Sequence, residues 1–244
     1  DRHAITRQWF SVPRWNSPDW GQWVIDGVEV CSVTRHARKL RRGVHRSNRF
    51  EIVLRELGPF DARALDERMA QIRTLGVPNY FGEQRFGRQG NNLRLADQWA
   101  GGKRLSRPKR SLAISTVRAY VFNQALAERV ESNTWQHLLS GDKANLAGTA
   151  SVFDVDTVDD TLRRRCLEQD IHPTIVLAGE GSGIAPSRWQ SALDGARVEE
   201  GHRSLRLVPE DVDYSVEDAT VTVRFVLPKG AFPTAMLREF CHWV

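Results

Sequence analysis

Residues 220–227, "TVTVRFVL", place Val221, Val223, Phe225 and Leu227 on one side of an extended chain, and Thr220, Thr222 and Arg224 on the other. Period-two alternation of this kind fits a β-strand with one buried and one solvated face, and no helical period accommodates it. Residues 1–56 are also expected to be strand-rich. There "WVIDGVEV" sets Asp26-Gly27 between apolar β-formers as a hairpin signal, and "FEIVLRE" (residues 50–56) is a short β run. The middle of the chain reads as more helical. Asp61 is placed to cap a helix in which Leu65, Met69, Ile72 and Leu75 recur at helical spacing, with Gly76 as its stop and Pro78 preventing resumption. A longer helix is expected from about Lys109 to Glu131, with Ile114, Val117, Val121 and Leu126 among its apolar positions. Another is expected over residues 154–170, acidic early and basic later, as the helix dipole favours. "PTAMLREF" closes the chain as a short helix with Pro233 near its start. Between the first two helices, "VPNYFGEQRFGRQGNN" is too dense in aromatics, glycines and amides for a regular element, and reads as an ordered loop.

Charge is more informative in its placement than in its sum of +5. "RHARKLRRGVHR" (residues 35–46) holds six Lys or Arg, two His and no acid; with those six set aside, 29 basic residues face 30 acidic ones. "KRLSRPKR" (residues 103–110) adds five more without an acid. Each run alone suits a solvated face. Two together favour a polyanion, because clustered Lys and Arg gain affinity for phosphates by releasing condensed counterions. At 244 residues the chain can bury one large core or two small ones, and no run approaches the ~18 apolar residues of a membrane span. Cys31, Cys166 and Cys241 are odd in number and far apart, which indicates neither a disulfide framework nor a zinc site and suggests a reducing compartment.

"TIVLAGEGSGIAPSRWQSAL" runs from an apolar strand through Gly179, Gly181 and Gly183 into a helix, and so imitates a dinucleotide site. The third glycine of that fingerprint falls on Ile184 or Pro186, where only a tiny residue admits helix-on-strand packing. An ordinary glycine-rich turn is the better reading. No P-loop or Gly-x-Ser-x-Gly elbow is present, and the seven histidines form no spaced pair of ligands.

"DRHAITRQWF" (residues 1–10), "NRF" (48–50), "VPNYFGEQRFG" (77–87) and "LPKGAFPTAMLRE" (227–239) follow one another in this order. Together they resemble the TruD family of pseudouridine synthases. The likeness covers nearly the whole chain, including "RHARKLRRG" and "KRSLAISTVRAYVFNQALAERV". "VPNYFGEQRFG" is its specific part; "NRF" alone carries no weight. The family's catalytic aspartate lies in Gly-x-Lys-Asp followed by a basic residue, Ala, Thr and Gln, which Asp1, Arg2, Ala4, Thr6 and Gln8 match in their latter part. The preceding Gly and Lys have no counterpart, so the resemblance implies a member lacking its N-terminal segment.

The resemblance implies an α/β (α+β) fold: a mixed-sheet catalytic domain from residues 1–87 and 207–244, with an inserted α/β domain at 88–206. It implies isomerisation of a tRNA uridine, at position 13, in the cytoplasm, without metal, cofactor or membrane. Asp1 inherits the nucleophile's role, attack on the sugar and attack on the base both being open. Phe50 would stack on the extruded base and Asn48 would orient the pocket, a core aromatic at a strand start being the lesser reading of Phe50. Asn79, Gln84 and Arg85 either order the pocket or hold their own loop, and Phe232 forms another wall. Arg35, Arg38, Lys39, Arg41 and Arg42, with Lys103 and Arg104, would meet the RNA backbone. An RNA-binding module without activity is the alternative, and a nicotinamide oxidoreductase using the glycine-rich turn a distant third.

Overall fold

The computed structural model describes residues 4–41 and 43–241, in two units, Asp1–Arg46 and Ser47–Val244. In the first unit a 3-10 turn spans Arg14–Asn16, and Ile25 and Val28 form an isolated bridge about Asp26 and Gly27, with the Val28 amide donating to the Ile25 carbonyl at 3.0 Å. The turn expected at Asp26-Gly27 is therefore present, but the strands on either side of it are not. The expectation of a strand-rich stretch over residues 1–56 holds only from Ser47 onward among the described residues. β-Forming side chains specify strands only when a neighbouring strand pairs with them. Here Pro13, Pro18 and Gly21 interrupt the run, and Ile5, Trp9, Phe10 and Trp15 are exposed.

The second unit runs β1 (Ser47–Leu54), α1 (Ala62–Leu75), β2 (Val77–Pro78), α2 (Asn91–Ala100), α3 (Arg107–Glu131), β3 (Lys143–Leu146), β4 (Val152–Asp154) and α4 (Asp160–Leu167). It continues through β5 (Ile171–Leu177), α5 (Ser187–Gly195), β6 (Gly201–Ser204), β7 (Arg206–Leu207), β8 (Glu210–Glu217), β9 (Thr220–Pro228) and α6 (Pro233–Leu237). The fold is mixed α/β. None of its described helices is long and apolar enough to cross a membrane.

The alternating strand is β9, the centre of an antiparallel sheet ordered β1-β9-β8. Its Val221, Val223, Phe225 and Leu227 are buried against Met69 and Ile72 of α1 and Ala235 and Met236 of α6. Asp61 caps α1 as expected, accepting from the Arg63 amide at 2.9 Å. Gly76 ends the helix at φ +75°, and a Cβ there would lie 2.6 Å from the Leu207 carbonyl oxygen. That close approach is where β2 pairs with β7, Val77 opposite Leu207 and Pro78 opposite Arg206.

A second sheet, β4-β3-β5-β6, is antiparallel throughout. Helix α3 buries Phe122 and Leu126 with Leu205, and Ala113, Val117 and Val121 with α5's Trp189 and Leu193. The helix expected over residues 154–170 is shorter, because Val152–Asp154 pairs with β3 and the better cap is Asp159, which accepts from the Leu162 amide at 2.7 Å.

The glycine-rich turn after β5 has a packing cause. A Cβ on Gly179 would lie 2.6 Å from the Glu200 amide nitrogen and 2.7 Å from the Val198 carbonyl oxygen, both backbone atoms that cannot swing aside. The Gly181 amide, which a phosphate would want, instead donates to Asp194 Oδ1 at 2.8 Å, and this bond holds the Asp194 carboxyl below its usual range. Gly179→Ala is expected to cost about 2 kcal/mol by overpacking. Urea denaturation checks this, and an unchanged midpoint would refute the packing explanation.

Candidate functional site

The loop that β2 leads into is fastened from three directions. The Asn79 amide donates to the Leu205 carbonyl and its Nδ2 to the Ser204 carbonyl, each at 2.8 Å. Asn123, on α3, brackets Phe81: its Oδ1 accepts from the Phe81 amide at 2.9 Å, and its Nδ2 donates to the Phe81 carbonyl at 3.0 Å. Asn92 Nδ2 donates to the Arg85 carbonyl at 3.0 Å. Gly82 is buried so close to α6 that a Cβ would fall 2.3 Å from Thr234 Oγ1. Any larger residue at that point would have to displace the Thr234 and Gln84 side chains.

So held, the loop presents an aromatic cluster crossed by two guanidinium groups. Phe81 meets Phe122 and Phe232 edge to face, with centroids 5.5 and 5.7 Å away. The Arg203 guanidinium carbon lies 4.1 Å from the Phe81 centroid. That of Arg85 lies 5.8 Å from the same centroid and 5.6 Å from that of Phe232. Both are within cation–π range. Arg203 reaches across from β6, donating through Nη2 to Asn79 Oδ1 at 2.6 Å and through Nη1 to the Gly230 carbonyl at 3.2 Å. Burial, reinforced by the neighbouring charge of Arg85, pushes Arg203 down to about 10. A cavity of about 610 Å³ opens beside it, bounded by Asn79, Asn145, Thr149, His202, Arg203 and Ser204, with no carboxylate in its lining.

Four of the expected pocket residues, Asn79, Gln84, Arg85 and Phe232, thus gather in one place; Thr234 Oγ1 stands 3.5 Å from Gln84 Oε1. Asn48 and Phe50 lie on β1, opposite Leu227 and Phe225. Asn48 is exposed at the end of the sheet from which the turn to Gly230 and Phe232 departs. Phe50 is partly buried, its ring 5.5 Å from Phe225 and tilted by 31°. Asp1 and Arg42 lie outside the described residues. Arg35, Arg38, Lys39 and Arg41 are exposed in the first unit. Lys103 and Arg104 are exposed ahead of α3, where Lys103 Nζ donates to Gln98 Oε1 at 2.9 Å. The first turn of α3 has no acid, so this basic run crowds the positive end of the helix dipole.

Sequence reasoning missed Arg203, Phe81 and Asn123. Phe81 sits inside the quoted motif without standing out from it. Arg203 is 124 positions from Asn79, and no local pattern in "GHRSLRL" announces the contact.

A mixed α/β body whose loop gathers two arginines, amides and aromatic rings, with an acid-free cavity bordered by Asn79 and Arg203, carries the kinds of group that proteins use to handle nucleic acid. The sequence matches the family model of tRNA pseudouridine synthase D (TruD) over residues 1–98 and 92–240, and the chain belongs to that family. It is 40% identical over 263 aligned residues to the tRNA pseudouridine synthase D of Methylococcus capsulatus, covering 100% of this chain and 74% of that protein. It is 37% identical over 256 residues to that of Aeromonas salmonicida, covering 98% and 72%. In fold it is similar to the crystal structure of a Methanosarcina mazei protein assigned to the same family, with a TM-score of 0.66 at 16% identity over 90% of this chain and 74% of that one.

Proposed function

We propose that this protein converts a uridine of tRNA, at position 13, to pseudouridine in the cytoplasm, with Asp1 as the nucleophile. The observation that carries the reading is the family match, which runs from the Asp1 motif through the loop at residues 77–87 to the turn bearing Phe232. The reaction breaks the bond from C1′ to N1, turns the uracil and rejoins C1′ to C5; the proton leaving C5 is balanced by one taken up at N1. No electron donor or acceptor enters the balance. An ionised carboxylate suffices, attacking either sugar or base. Extruding the uridine costs a few kcal/mol, which stacking on Phe50 and contacts to flanking phosphates would offset. Asn48, Asn79, Gln84, Arg85 and Phe232 shape the pocket in this reading. The pairing of β2 with β7 supports treating residues 88–206 as an insertion into a catalytic domain formed by 1–87 and 207–244.

Incubating the protein with tRNA carrying tritium at uridine C5 tests the reaction. One tritium released per tRNA is expected, and none once uridine 13 is replaced by cytidine. No release from the uridine-containing tRNA would overturn the isomerase reading.

The run at residues 35–46 is assigned to the RNA backbone. Reversing Arg38, Lys39, Arg41 and Arg42 to glutamate is expected to weaken tRNA binding and flatten its salt dependence by roughly 0.9 in log–log slope for each duplex phosphate no longer neutralised. Filter binding between low and moderate salt reads both effects. Equal slopes for variant and wild type would place the RNA elsewhere.

A further inference from the structure

We infer that Arg85 and Arg203 form a two-pronged site for a single backbone phosphate of the RNA; this rests on the tRNA reading above. The two guanidinium groups converge on one aromatic ring, and among the described residues neither has a carboxylate within 4.0 Å. Arg129, withdrawn from water, instead pairs with Asp142 at 3.0 Å. Arg206, also buried without an acid, spends Nε on His172 Nδ1 and Nη2 on the Cys166 and Ile171 carbonyls. Arg203 bonds only to neutral acceptors, the Asn79 carbonyl and amide oxygens and the Gly230 carbonyl. Arg85 is less satisfied still. Its Nη1 donates to Ser115 Oγ at 3.3 Å, its buried Nε has no acceptor, and its Nη2 makes no hydrogen bond among the described residues.

Burial first, and then the neighbouring charge of Arg85, raise the cost of holding Arg203 charged. An anion between them removes that cost and takes up the spare donors. Arg85, beside Phe81 and Phe232, keeps its Nη2 and one Nη1 hydrogen unspent and so supplies an edge that matches an oxyanion bidentately, while Arg203, whose Nε and Nη2 hold Asn79, adds the one remaining Nη1 hydrogen as the second prong. Phosphate is the oxyanion that RNA supplies at every nucleotide, and the adjoining cavity, bordered by Arg203 and Asn79 without an acid, leaves room for the sugars on either side.

The test compares wild type, Arg85→Gln and Arg85→Lys for binding of an unmodified tRNA transcript across a salt series, with single-turnover pseudouridine formation followed against pH. Arg203→Lys, which keeps the charge but loses the fork, is the second variant, since a neutral residue there would also release Asn79 and Gly230. Arg85→Gln should bind about tenfold more weakly near 0.1 M salt, with a log–log slope shallower by about 0.7 to 0.9, the loss of one phosphate. Arg85→Lys and Arg203→Lys should keep the slope while weakening affinity a few-fold. An unchanged slope in Arg85→Gln overturns the site, and does so without touching the isomerase reading provided that wild type still releases tritium. A normal slope and affinity combined with an acid limb of the rate profile moved to higher pH would also overturn it, by showing that the anion is a carboxylate of the protein itself.

Discussion

Asp1→Asn, made in the protein as its gene encodes it, is expected to lower the single-turnover rate of pseudouridine formation by more than about 10⁴-fold. Its affinity for tRNA should stay within about twofold. The substitution keeps the shape and hydrogen-bonding reach of the side chain and removes only the negative charge. Glycosidic cleavage at C1′ develops positive charge on the sugar, and a neutral amide neither stabilises that charge nor forms a usable bond to it. In the proposed reading affinity rests on other groups, the basic runs and the arginine cluster, so binding and turnover should separate. Asp1→Ala should behave alike and guards against asparagine that deamidates back to aspartate. Tritium release on one axis and filter binding on the other give the answer; turnover within tenfold of wild type would move the nucleophile to another residue.

Below neutral pH the protein should lose stability through His172, by of order 3 kcal/mol between about pH 6.5 and pH 4. His172 is buried on β5, and its Nδ1 accepts from Arg206 Nε at 3.0 Å, a bond that exists only while that nitrogen carries no proton. Burial first, and then the charge of Arg206, push it down to about 4, with Asp170 opposing. The unfolded chain therefore binds a proton in a range where the folded chain does not. The stabilisation is complete above the ordinary histidine value, declines as pH falls, and is gone below the folded value. Urea midpoints from pH 7 to pH 4 should fall more steeply for wild type than for His172→Asn, whose amide oxygen can still accept from Arg206 but does not titrate. Parallel slopes for the two proteins would show that His172 does not drive the loss.

Much of the second unit is legible in the order of its residues. The alternation around Phe225, the cap at Asp61, the stop at Gly76 and the apolar period of α3 each act locally, so spacing alone exposes them. The first unit is not legible in this way. Its tryptophans and β-branched residues state a preference that only a pairing strand could realise, and its prolines break the run before one could form. The candidate site divides along the same line. Asn79, Gln84, Arg85 and Phe232 are legible because two compact motifs carry them. Arg203 is hidden because its meaning lies in where β6 crosses the loop, a relation that no window of sequence contains. The glycine-rich segment shows the converse: Gly179 is there for the backbone of residues 198–200, and Asp194 already fills the amide that a nucleotide would need.

The two-residue ladder between Val77 and Leu207 has a consequence for how proteins built like this can change in size. It staples together the ends of the long stretch between them, so that the stretch leaves and returns at one point. Lengthening a tethered loop costs only slowly with added residues, roughly as the logarithm of its length. New surface can therefore accumulate beyond the staple while the strands beneath it keep their register.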